Sequence, residues 1–172
     1  DGTALFVSSS RPIRDLEGFA HPRTGVHTYA NRGLAGIDGN ISTALGVAYG
    51  HKATIAVLGD LSFLHDLTGL INKEEINCRF IVINNDGGGI FSTLPQRGVN
   101  GFETVFGTPH GLNPAAIAQA MGVQAKQITS LKELEAEVKA PISGISVVVC
   151  DVPNRESNAD NLKRVVEALS SI

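Results

Sequence analysis

Residues 54–89, TIAVLGDLSFLHDLTGLINKEEINCRFIVINNDGGG, hold two short apolar runs that read as strands covered on both faces. The first run, residues 54–58, gives way to Gly59-Asp60-Leu61-Ser62. The second, residues 80–84, gives way to Asn85-Asp86 and then Gly87, Gly88 and Gly89. Between the runs, residues 63–73 carry a helical pattern, with Ser62 as its N-cap. A strand, a helix and a second strand in this order predict neighbours in a parallel sheet.

Outward from this unit the alternation continues. Residues 4–8, 27–30, 124–128 and 145–152 predict further strands. Residues 41–50, 114–121, 130–139 and 161–170 predict helices. Asn113 and Pro114 open the second of these, and Gly122 closes it. Ser130 followed three residues on by Glu133 reads as a capping box. The fold class predicted is α/β: a three-layer α/β/α domain with a mainly parallel central sheet, one domain over residues 1–172. Residues 87–111 are rich in glycine and irregular, which predicts a functional and mobile loop.

Composition narrows the function classes. Of the 172 residues 42% are apolar and 18% charged, as in an ordinary globular domain. A net charge of −3, with no basic stripe, argues against nucleic acid as a partner. No apolar run approaches ~18 residues, so no transmembrane helix is expected. Cys78 and Cys150 each lie beside an apolar run and read as two buried thiols, which suits a cytoplasmic protein. The first residues, Asp1-Gly2-Thr3-Ala4, show neither an initiator Met nor a signal peptide, and read as a domain boundary.

Ligands on parallel sheets bind at the C-terminal strand ends. Asp60 and Asn85 each follow a buried strand, so both are expected at that edge. A carboxylate and an amide oxygen suit a hard cation such as Mg²⁺, with a backbone carbonyl at Gly87 as a third donor. So few protein ligands leave positions open for water and for the oxygens of a diphosphate. The helix start after Asp60 also offers free N–H groups to an anion. The competing reading is a pair of strand–helix turns in which Asp60 and Asn85 only cap.

Three strings decide what this edge resembles: Asn31-Arg32-Gly33-Leu34-Ala35-Gly36-Ile37-Asp38-Gly39, Gly59-Asp60-Leu61-Ser62-Phe63-Leu64-His65-Asp66, and Asn84-Asn85-Asp86-Gly87-Gly88-Gly89-Ile90-Phe91-Ser92. The spacing from Asp60 to Asn85 resembles the thiamine-diphosphate enzymes, in which Gly-Asp-Gly opens a segment closed by Asn-Asn. Leu61 departs from that pattern. It is similar instead to the MenD family, the 2-succinyl-5-enolpyruvyl-6-hydroxy-3-cyclohexene-1-carboxylate synthases, where Leu follows Gly-Asp. The resemblance covers essentially the whole chain and the last third or so of such an enzyme.

That resemblance implies the following roles. Asp60, Asn85 and the Gly87 carbonyl would hold Mg²⁺, with Mn²⁺ as an alternative. Ser10, Gly59, Leu61 and Ser62 would meet the diphosphate, while Gly36, Ile37, Asp38 and Ile90 would border the rest of thiamine diphosphate. Phe91 would face the substrate. The implied substrates, 2-oxoglutarate and isochorismate, each carry two carboxylates, which Arg14 and Arg32 would anchor through planar guanidinium groups. For an isolated arginine or isoleucine the competing reading is a solvated side chain or plain core; Arg11 and Arg23 are read as surface.

The activating glutamate of such enzymes belongs to an N-terminal pyrimidine-binding domain, normally of a partner subunit in a homodimer or homotetramer. Neither that domain nor the central one is expected in this chain, which alone is expected to be inactive. Glu74 and Glu75 read as a solvated helix end. None of the five histidines shows metal-ligand spacing or a partner. Gly87–89 does not match the dinucleotide-binding spacing. Two further readings remain: another decarboligase of the acetolactate synthase type, and a non-catalytic α/β binding module.

Overall fold

The computed structural model describes residues 2–71 and 75–170. Six parallel strands form one sheet: β1 (Thr3–Val7), β2 (His27–Tyr29), β3 (Ala53–Gly59), β4 (Cys78–Asn84), β5 (Gln124–Ile128) and β6 (Ile145–Asp151). Their order across the sheet is β2-β1-β3-β4-β6-β5. The helices are α1 (Arg11–Phe19), α2 (Asn40–Tyr49), α3 (Asp60–Leu64), α4 (Pro114–Ala120), α5 (Leu131–Lys139) and α6 (Arg155–Ser170).

Period-two alternation along β4 feeds two cores. Cys78, Phe80 and Val82 join Phe6, Leu58, Ile41 and Phe63 on the face covered by α2, α3 and α4. Ile81 points the other way, with Val148, Ile128 and Cys150 beneath Leu134 of α5. Burial on both faces is why β4 and β6 are nearly continuous in apolar residues. Edge strand β2 is exposed at all its positions, and β5 is buried only at Ile128.

The strands fall where the sequence predicts them, to within a residue or two. Three helical elements differ. The sequence pattern does not reveal α1, whose Pro12 is its buried residue. The helix predicted over 63–73 starts earlier, at Asp60, with Gly59 rather than Ser62 at the N-cap, and stops at Leu64. A separate 3₁₀ turn follows over Leu67–Leu70. Asp66 breaks the run because its carboxylate accepts from Ser42 N (2.7 Å) and Ser42 Oγ (3.1 Å), capping the start of α2. At Gly69 a Cβ would come within 2.8 Å of Ser42 Oγ, so close approach to α2 requires glycine there. The predicted end at Lys73, and Glu74, lie outside the described residues. Finally, α6 begins at Arg155, well before residue 161.

The 87–111 loop, expected to be irregular and mobile, contains a 3₁₀ turn (Gly89–Thr93) and a π-helical turn (Glu103–Gly107). It is tied to α6. Arg155 donates to the carbonyl oxygens of Asp86 (2.9 Å) and Gly107 and pairs with Glu103. Arg97 pairs with Glu156 and with Asp160 (2.7 Å). Among the described residues no helix is long and apolar enough to cross a membrane.

Candidate active site

Because β2 and β3 lie on opposite sides of β1, the chain reverses direction across the sheet between β1 and β3. Such a reversal opens a crevice beyond the C-terminal strand ends. A cleft of about 390 Å³ lies there, lined from the ends of β1, β3 and β4. Register makes the convergence specific: Gly59 of β3 aligns with Ile83 of β4, so Asp60 and Asn85 emerge at one edge.

Asp60 is 2% exposed. Its Oδ1 accepts from Leu61 N (2.7 Å), and its Oδ2 accepts from Asn85 N (3.2 Å) and Gly87 N (2.9 Å). No Lys or Arg side chain pairs with it among the described residues. Asn84, by contrast, turns to β6 and donates to Asp151 Oδ1 (2.8 Å). Asn85 Oδ1 is buried and has no hydrogen-bond partner among the described residues. A buried amide oxygen left without a donor costs about 1–3 kcal/mol, which a cation at that point would recover. The donor set of one carboxylate, one amide oxygen and a backbone carbonyl is hard-ligand chemistry and fits Mg²⁺. The third donor, the Gly87 carbonyl, accepts one bond from Gly89 N (2.9 Å), which leaves its second lone pair. Gly87 has φ 126°, and a Cβ there would lie 2.1 Å from Gly107 O, so only glycine fits this turn.

Ser10, Gly59, Leu61 and Ser62 line the same cleft. Ser10 holds φ 74° at the N-cap of α1, a left-handed conformation that a serine adopts at a cost. The first residues of α1, Arg11 and Pro12, also face the cleft. Arg11, expected at the surface, is in fact bound to Asp15 within the cleft wall. Burial pushes the Asp15 carboxyl above its ordinary range, against the opposing pull of Arg11.

Ile37, Ile90 and Phe91 line the cleft wall, and Phe91 also packs against Phe106 with ring centroids 5.4 Å apart. Arg14 and Arg32 border the mouth. Arg14 donates to Ser10 O (2.7 Å), and neither arginine has a carboxylate partner among the described residues. Two predicted residues are not brought to the cleft. The carbonyl oxygens of Gly36 and Asp38 accept from the buried Asn40 Nδ2 (3.4 and 3.1 Å), so this turn serves the start of α2.

His110 was not singled out from the sequence, yet its Nε2 lies 3.3 Å from Asp60 Oδ2. Its ring is nearly buried, and Leu112 N donates to its Nδ1 (2.9 Å). The two are 50 residues apart in sequence, with an irregular loop between, so no spacing rule could have joined them.

Residues 15–152 match the family model described as the thiamine pyrophosphate enzyme, C-terminal TPP binding domain. The chain is similar to the 2-succinyl-5-enolpyruvyl-6-hydroxy-3-cyclohexene-1-carboxylate synthase of Thermobifida fusca, 38% identical over 96% of this chain and 31% of that protein. The synthase of the same name from Bacillus cytotoxicus is 43% identical over 92% of this chain and 28% of its own length. The chain thus spans about three-tenths of these curated relatives. In fold it is similar to benzoylformate decarboxylase from Polynucleobacter necessarius, with TM-score 0.66 at 20% identity over 91% of this chain and 30% of that one.

Proposed function

This chain belongs to the thiamine pyrophosphate enzyme family as its C-terminal TPP binding domain, and from that premise we propose that the cleft holds the Mg²⁺–diphosphate end of thiamine diphosphate in a MenD-type synthase. The observation that carries the metal reading is Asn85 Oδ1, buried without a partner among the described residues beside the buried Asp60. When bound, the cofactor supplies the carbanion chemistry that decarboxylates a 2-oxo acid and transfers the remaining acyl unit.

The residues do the rest. Asp60, Asn85 and the Gly87 carbonyl hold the cation. Ser10, Leu61 and Ser62 flank the diphosphate. Ile37 and Ile90 fill apolar volume against the cofactor rings without competing for their hydrogen bonds. Arg14 and Arg32 carry guanidinium groups at the mouth, matched to the carboxylates of 2-oxoglutarate and isochorismate. The activating glutamate comes from a pyrimidine-binding domain outside these residues, in a site shared between subunits of a cytoplasmic homo-oligomer.

Asp60→Ala in the full-length natural protein tests the metal reading by calorimetry with thiamine diphosphate and Mg²⁺. Metal-dependent binding is expected to fall by more than the roughly 10–100-fold typical of outer-shell changes. Unchanged binding sinks the assignment. Turnover of 2-oxoglutarate with isochorismate, set against turnover of pyruvate, separates a MenD-type synthase from an acetolactate synthase-like enzyme.

A further inference from the structure

We propose that His110 is a positioning residue for the metal site, fixing the Asp60 carboxylate through its Nε2–H. The inference rests on the metal reading above. A backbone N–H can only donate, so the bond from Leu112 N (2.9 Å) makes Nδ1 the acceptor. Nε2 is then the donor nitrogen, and it faces Asp60 Oδ2 at 3.3 Å. The contact to Asp60 is long for a hydrogen bond, but the ring has little freedom to leave it. Only 10% of the His110 side chain is exposed. Its backbone is held as well, since His110 N and Gly111 N both donate to Asp86 Oδ1 (3.0 and 2.8 Å).

These bonds close a circuit. Asp60 Oδ2 receives Asn85 N, Gly87 N and His110 Nε2, while the intervening Asp86 holds the backbone of His110. With three donors on Oδ2 and one on Oδ1, the carboxylate cannot turn about its axis without breaking several bonds. Oδ1 is the less encumbered oxygen and the better placed for a cation. Partners behind a ligating carboxylate set its orientation and basicity in this way.

The test compares two substitutions of similar bulk in the full-length protein. H110Q keeps a side-chain N–H with the reach of Nε2, whereas H110M fills the space without a donor. Mn²⁺ is titrated in the presence of thiamine diphosphate, with bound ion read from its electron paramagnetic resonance spectrum. H110M is expected to weaken Mn²⁺ binding by about 10-fold or more and to broaden the bound-ion spectrum, while H110Q stays close to the parent. Should H110M fail to fold, H110A takes its place in the comparison. Equal loss in H110Q and the donorless variant reduces His110 to packing and overturns the inference. So does parent-like binding by the donorless variant. If the parent itself takes up no Mn²⁺ with thiamine diphosphate, the metal reading fails first and this inference with it.

Discussion

Burial holds the two thiols of this domain in their neutral form. The Cys78 thiol is pushed up to about 12 by desolvation alone, and that of Cys150 to about 11 by desolvation and then by Asp151. In the unfolded chain both ionise near ~8.5. A group whose folded pKa is raised contributes stability that is complete below the unfolded value and is lost as pH rises through the folded one. Thermal unfolding followed against pH should therefore show an extra decline from about pH 9 toward 12, and Cys78→Ala should remove part of it. Mass spectrometry after brief alkylation at pH 8 should find Cys78 unmodified in native protein and modified after unfolding. Labelling at equal rates in both states contradicts this. The burial itself is legible in sequence, from thiols flanked by apolar strand residues. The residues of the cleft edge, for which a metal is proposed, are legible for a related reason: apolar runs mark where strands end, and Asp60 and Asn85 come just after. His110 is not legible, because its partner Asp60 lies 50 residues away and only the folded chain supplies it; Arg11 pairs with Asp15 four residues on, and it is the place of that pair in the cleft wall that the sequence does not give.

At the level of elements, local signals succeed where the bond they encode is local. The Ser130 hydroxyl accepts from Glu133 N (3.3 Å), and the Glu133 carboxylate reaches back to Ser130 N (3.1 Å), forming the capping box expected for α5. Replacing Ser130 by Ala should lower stability by about 1 kcal/mol in urea unfolding. Bonds from the Ser130 side chain, and then from the Thr129 amide, hold the Glu133 carboxyl below its usual range. Its contribution is present above the unfolded pKa and is lost as pH falls through the folded one, so S130A should also flatten the acid limb of the stability profile. Cofactor affinity should not change, since α5 packs through Leu134 on the sheet face away from α2. Elements that depend on distant partners are harder to read. The first turns of α6, Arg155-Glu156-Ser157-Asn158-Ala159-Asp160, lack apolar periodicity; Asn154 Oδ1 accepts from Ser157 N (2.9 Å) at their start, and ion pairing to Glu103 and Arg97 of the 87–111 loop adds what no local window contains. The predicted helix after Asp60 is likewise cut short by a bond from Asp66 to α2, which no window over its own residues contains.

For the whole molecule, the question is whether the cleft holds every group the chemistry needs. Activation of thiamine diphosphate calls for a carboxylate free to face its aminopyrimidine ring, a requirement that the family resemblance brings. Among the described residues the cleft is lined by two carboxylates, Asp15 and Asp60. Asp15 is bound to Arg11 in the wall, and Asp60 is buried under four donors. Releasing Asp60 would break the contacts that place it, and burying a carboxylate stripped of its partners is strongly unfavourable, while Asp15 is engaged by Arg11 within its own helix. The 172-residue polypeptide by itself is therefore expected to show no turnover of 2-oxoglutarate with thiamine diphosphate and Mg²⁺. The full-length protein should be active under the same conditions, and mixing the separate domains should restore activity only if the added piece brings the missing carboxylate. Carbon dioxide release measured side by side for the two preparations decides the point. Turnover by the isolated domain above the background of an Asp60→Ala control would show that a carboxylate among these residues does the activating, and would move the search for it to Asp15.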